Sequence, residues 1–178
     1  MPTTQPSPVV PPDDLNRSHT LARPDSDRSL PHIGVAGGTY TITVPGEATA
    51  GRFSIIDMHI PPGGGPPPHR HDFEETFVLL TGEMEATFRG QKITVKAGET
   101  LHVPANAPHH FKNIAAQPLR MLCICSPAGQ EKFFMEVGVA VESRTTAPPE
   151  LEPAQRAAFL RKVQELSSMY RTELLPVS

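Results

Sequence analysis

The stretch Gly63–Asn113, GGGPPPHRHDFEETFVLLTGEMEATFRGQKITVKAGETLHVPANAPHHFKN, decides how this chain is read. It holds His69, His71, Glu75 and His109, side chains suited to gripping one divalent metal. Residues two apart on a strand project from the same face, about 6.6 Å apart along it, so His69 and His71 can turn toward one ion. Glu75 follows at an even offset and returns to that face if the strand stays regular through Phe73. His109 must then arrive from another strand. Three neutral imidazoles and a carboxylate suit iron, manganese, cobalt, nickel or zinc, with positions left open for water, oxygen or substrate. Calcium and magnesium fit so much nitrogen poorly.

Two gapped motifs run through the same stretch. The first is Gly63, five residues, His69-Arg70-His71, three residues, Glu75, six residues and Gly82. The second is Gly98, five residues, Pro104-Ala105-Asn106, two residues, His109, three residues and Asn113, with fifteen residues between Gly82 and Gly98. Over roughly residues 35 to 130 the pattern resembles the cupin superfamily, with one departure, Asn106 where glycine is usual. Asparagine tolerates a left-handed turn better than other non-glycine residues, so the departure is mild. The resemblance implies a jelly-roll β-barrel with His69, His71, Glu75 and His109 as ligands of one divalent transition metal.

The remaining histidines invite plainer readings. His19, His32 and His110 read as ordinary surface or hydrogen-bonding residues, and His59 and His102 as strand residues with at most a pocket role. Arg70 points away from its neighbours and reads as a surface charge.

A chain of 178 residues with 38% apolar content suits one globular domain with additions at its ends. A net charge of −3 without a basic stripe argues against nucleic acid. There is no run of about 18 apolar residues to span a membrane, and the N-terminus lacks a signal-peptide pattern, so a cytoplasmic protein is the expectation. Cys123 and Cys125, the only cysteines, share a strand face, pair unfavourably for a disulfide and read as buried thiols.

Residues 1–34, poor in large apolar groups, read as a flexible N-terminal arm. Residues 35–145 read as an all-β barrel. Its β-rich runs are Thr39–Val44, Arg52–Ile60, Thr76–Leu80, Glu83–Phe88, Gln91–Val95, Thr100–Val103, His109–Asn113 and Leu119–Cys125. Glycines in Thr81-Gly82-Glu83, Arg89-Gly90-Gln91 and Lys96-Ala97-Gly98 supply the tight turns. Residues 146–178 read as a helical extension opening near Pro153, with Phe159, Val163, Leu166, Tyr170 and Leu174 on one apolar stripe.

Side-chain parity puts Ile56, Met58, Phe77, Leu79 and Phe111 on the face of the metal ligands, as the wall of an apolar substrate chamber. Thr76, Val78 and Leu80 face outward yet are largely apolar, which predicts a homodimer. The rigid run Pro61–Pro68 is placed at the barrel mouth, and the C-terminal helix is a candidate lid.

The ligand set and single-barrel format look like the small bacterial cupins similar to quercetin 2,3-dioxygenase. That resemblance implies a dioxygenase using O2 on an aromatic or enolic small molecule, with Glu75 both ligand and catalytic base. The fold also hosts non-catalytic metal- or ligand-binding proteins and metal-dependent isomerases or lyases, which stay open as alternatives.

Overall fold

The computed structural model describes residues 10–176. Among the described residues, twelve strands form two antiparallel sheets whose inner faces enclose the core. The larger sheet has the order β11-β1-β2-β3-β10-β5-β8. It comprises β1 (His32–Val35), β2 (Gly38–Val44), β3 (Ser54–Ile60), β5 (Glu74–Thr81), β8 (Thr100–Val103), β10 (Leu119–Ser126) and β11 (Val139–Ala140). The smaller, ordered β12-β4-β9-β6-β7, comprises β4 (His69–His71), β6 (Glu83–Phe88), β7 (Gln91–Lys96), β9 (His109–Asn113) and β12 (Thr172–Leu174). The two helices are α1 (Gln130–Val137) and α2 (Pro153–Ser167).

Period-2 burial sets what faces inward. On β5, Glu75, Phe77 and Leu79 are buried while Thr76 and Val78 are half-buried. On β10, Met121, Cys123 and Cys125 are buried and alternate with half-buried Arg120, Leu122 and Ile124. Gly82, Gly90 and Gly98 all take positive φ, as their turns require. Asn106 also does, at 67°, which is how it replaces a glycine.

Four expectations need correction. The motif strand does not stay regular through Phe73: β4 ends at His71 in one sheet and β5 begins at Glu74 in the other, so Asp72-Phe73 is the bend between sheets. Strand pairing begins at His32, inside the segment read as the arm, because His32–Val35 pair with Gly38–Thr41 across the Ala36-Gly37 turn. The apolar stripe at the C-terminus does not continue as one helix. α2 stops at Ser167, Arg171 turns left-handed, and Leu174 lies in β12 against β4. Finally, α1 stands where no helix was expected, although Gln130, Phe133, Phe134 and Val137 are spaced as a helix face between Gly129 and Gly138.

The part of the N-terminal arm that lies within the described residues is mostly exposed but tied to its own barrel. Arg17 donates to the Ala48 carbonyl at 3.0 Å, and Asp25 pairs with Arg144 at 2.6 Å. The arm's first nine residues lie outside the described residues. Asp57, on the outer sheet face, is nevertheless buried because Arg120 grips its carboxylate from 2.6 Å.

Candidate metal centre

The Pro-rich loop delivers β4 to the barrel. Gly63 and Asn113 exchange backbone hydrogen bonds with this loop, Gly63 donating to the Asn113 carbonyl and Asn113 to that of Gly64. A Cβ on Gly65 would stand 2.0 Å from the Phe111 carbonyl oxygen, so only glycine lets the loop pack there. His69 then pairs with His109 across β4 and β9, and the bend at Asp72-Phe73 carries the chain to Glu75 on the opposite sheet. All four side chains are buried, and their ligand atoms lie within 4.8 Å of one another.

The imidazoles are oriented by their own backbone. Nδ1 of His69, His71 and His109 lies 2.9 Å from the carbonyl oxygens of Pro67, Phe73 and Ala107 respectively. A carbonyl only accepts, so each Nδ1 carries the proton and each Nε2 is left to face the centre. His71 is also fixed by stacking on Phe73, with ring centroids 3.8 Å apart. Glu75 Oε2 lies 2.9 Å from His71 Nε2 and 3.0 Å from His109 Nε2. Its other oxygen, Oε1, accepts from the Cys123 thiol at 3.1 Å.

Charge inside this centre is arranged for a cation. Burial pushes the Glu75 carboxyl up, but the hydrogen bonds of His109 and His71 outweigh it and hold the group well below the usual carboxylate range. Burial and the neighbouring His109 push His69 down to about 4, leaving it neutral at pH 7. Burial acts against the charged form of His109 too, yet the Glu75 hydrogen bond prevails and raises it. Glu75 therefore favours positive charge beside it, the condition under which a buried carboxylate is tolerated. The donor set of three nitrogens and one oxygen fits a first-row divalent metal in composition and spacing.

The centre opens on a cavity of about 1210 Å³. Of the residues expected to wall it, Met58, Phe77 and Phe111 line it together with His69 and Glu75. Ile56 and Leu79 share the inward face but are packed in the core, away from the cavity. The rest of the wall comes from elements remote in sequence: Tyr40 on β2, Phe133 and Phe134 on α1, Phe159 and Val163 on α2. Gly65–Pro68 also border it, which puts the Pro-rich loop at its rim. His110 lines the cavity as well, against its reading as a bland residue. His59 and His102 do not; His102 bonds Thr76 and Glu74 on the outer face. His32 is a core histidine satisfied by Thr41 Oγ1 at 2.7 Å. Arg70 pairs with Glu173 at 2.5 Å, joining β4 to β12.

The double-sheet barrel and the motif spacing agree with the resemblance to cupins. Residues 56–125 match the model of the Cupin_2 family, the cupin domain. Among curated proteins the chain is similar to quercetin 2,3-dioxygenase of Bacillus subtilis (strain 168), 31% identical over 100 residues, covering 56% of this chain and 29% of that protein. It is also similar to auxin-binding protein 1 of Arabidopsis thaliana, 38% identical over 127 residues, covering 65% of this chain and 64% of that one. The chain therefore spans less than two thirds of either relative's length. Among solved structures, a predicted oxalate decarboxylase from Thermotoga maritima superposes with a TM-score of 0.54 at 22% identity, over 60% of this chain and 98% of that one. That likeness speaks for the fold alone.

Proposed function

We propose that this protein is a metal-dependent cupin dioxygenase that opens an aromatic or enolic small molecule with O2. The observation that carries the reading is the four-donor centre opening directly onto an apolar cavity. His69, His71 and His109 would hold the metal permanently, with Glu75 as the fourth ligand. The metal would supply Lewis acidity at a substrate oxygen and a meeting point for substrate and O2. The chain's own contribution is to bind, orient and take a proton. Met58, Phe77 and Phe111 grip the flat apolar body of the substrate. Glu75 Oε2, already between two imidazoles, accepts the substrate's hydroxyl proton. Phe159 and Val163 roof the cavity and exclude water. Similarity to a quercetin 2,3-dioxygenase supports this reading.

Similarity to auxin-binding protein 1, over a longer alignment and at higher identity, favours a second reading, a cupin that holds a small ligand at the metal without turning it over. Oxygen uptake separates the two. Protein stripped and reloaded with Fe(II), Mn(II), Co(II), Ni(II) or Zn(II) is challenged with quercetin, catechols and enolic diketones. Uptake that depends on both metal and Glu75 is the expected result. Ligand-linked thermal stabilisation with no uptake by metal-loaded protein would replace the first reading with the second.

The outer sheet face supports a homodimer. Val78 is half-buried and stands opposite the half-buried Leu122, and Leu80, on the same face of the strand, is 40% exposed.

A further inference from the structure

Cys123 and Cys125 lie on β10 with no solvent exposure, next to the centre but outside the four-residue ligand set. By sheet register Cys125 stands opposite Glu75 and Cys123 opposite Phe77. The Glu75 carboxylate nonetheless reaches diagonally, Oε1 lying 3.1 Å from Cys123 Sγ, while Cys125 Sγ backs that thiol from 3.6 Å. Each carboxylate oxygen thus has its own neighbours: Oε2 the two histidines, Oε1 the thiol.

We infer that Cys123 is a positioning residue for Glu75, its thiol retaining Oε1 so that the carboxylate presents one oxygen, Oε2, to a cation held by the histidines. This rests on the four-donor reading of the centre. A carboxylate free of the thiol has two equivalent oxygens and can close on a cation with both. A thiol is a weak donor, so the grip sets orientation without preventing the carboxylate from turning when it takes a proton. A serine hydroxyl would hold Oε1 more firmly, whereas alanine or valine would leave it buried with no donor. Cys125, at the same depth on the same strand face, makes no such bond to Glu75 and provides the matched control for loss of a buried thiol.

The test uses the full-length protein with Co(II) alone, and one metal-free measurement. The visible spectrum of the Co(II) protein reports coordination number, and competition with a chelating dye reports affinity. Cys123→Ala is expected to change the band positions and intensities and to weaken Co(II) about 10- to 100-fold, the range for loss of an outer-shell partner. Cys123→Ser should keep the wild-type spectrum, and Cys125→Ala should change neither. In metal-free Cys125→Ser protein the remaining S–H infrared stretch belongs to Cys123. It should lie at the low frequency of a thiol bonded to an anion and rise on Glu75→Gln. Superimposable Co(II) spectra for wild type and Cys123→Ala, or an S–H band indifferent to Glu75→Gln, would overturn the inference. These readouts stand apart from oxygen uptake, so failure of the dioxygenase reading leaves their outcome unaffected.

Discussion

A buried carboxylate between two imidazoles is tolerated only while something positive shares the space, and in this centre three histidines are preset to hold it. Replacing His71 or His109 with alanine removes a nitrogen donor from a centre whose geometry other residues cannot supply. Metal content after dialysis is expected to fall to a small fraction of the wild-type value. Glu75→Gln keeps the shape and the three nitrogens, so much of the metal should remain while turnover falls about 10²- to 10⁴-fold, the worth of a positioned base. Full oxygen uptake by the glutamine variant would exclude Glu75 from proton transfer. The four residues were legible in the sequence from the gapped motifs, and His69 and His71 also from a strand's two-residue period, whereas Glu75 reaches the centre from the other sheet and not along the same strand. Cys123 was legible only as a buried thiol: its bond to Glu75 runs diagonally between strands that sit more than forty residues apart in the chain.

At the scale of elements, the roof of the cavity is where structure adds most. Phe159 on α2 lines the cavity and packs against the core. Its ring is partly buried, so Phe159→Ala should cost ~1–1.5 kcal/mol of contact with a bound apolar ligand, about tenfold in affinity. Metal content should be unchanged, and calorimetric titration of a non-reacting catechol or flavonol analogue checks both. Equal affinity in the variant would mean that α2 does not close on the ligand. The barrel strands were readable from Thr39 to Cys125 because each is a β-rich run ended by its own turn residues. The strands β1, β11 and β12 were not, since two to four residues carry no period and their pairing is decided by distant partners, and β4 was read only as the start of one strand continuing to Glu75. The same cause shortened the helix. Phe159, Val163, Leu166 and Tyr170 do pack on the core, but Arg171 leaves the helical path so that Glu173 can meet Arg70.

For the whole molecule, the proposed metal site would couple metal to stability, because a cation that binds only the folded barrel stabilises it. At a free concentration a hundred times Kd the gain is about 2.7 kcal/mol, or roughly 5 to 10 °C in Tm for a chain of this size. Chelation should lower Tm by that amount and leave the Tm of His109→Ala nearly unmoved; scanning calorimetry decides. The outer face gives a second test. Leu80→Glu places a charge on the apolar patch proposed to meet a second subunit, and sedimentation should show wild-type dimers and variant monomers. Monomers in both would remove the dimer. No helix among the described residues is long and apolar enough to cross a membrane.

The pairing of β12 with β4 carries a kinetic consequence. Thr172 sits opposite His71, about a hundred residues earlier in the chain, and hydrogen bonds from Asp72 to Arg171 and from Leu175 to Pro68 extend the ladder at both ends. Closing so long a loop is slow compared with forming the hairpins β6–β7 or β1–β2, whose ends are adjacent. The strand bearing two of the four ligands therefore gains its outer neighbour late in folding. Refolding followed by stopped flow should show far-ultraviolet circular dichroism recovering before the protein acquires tight affinity for Co(II).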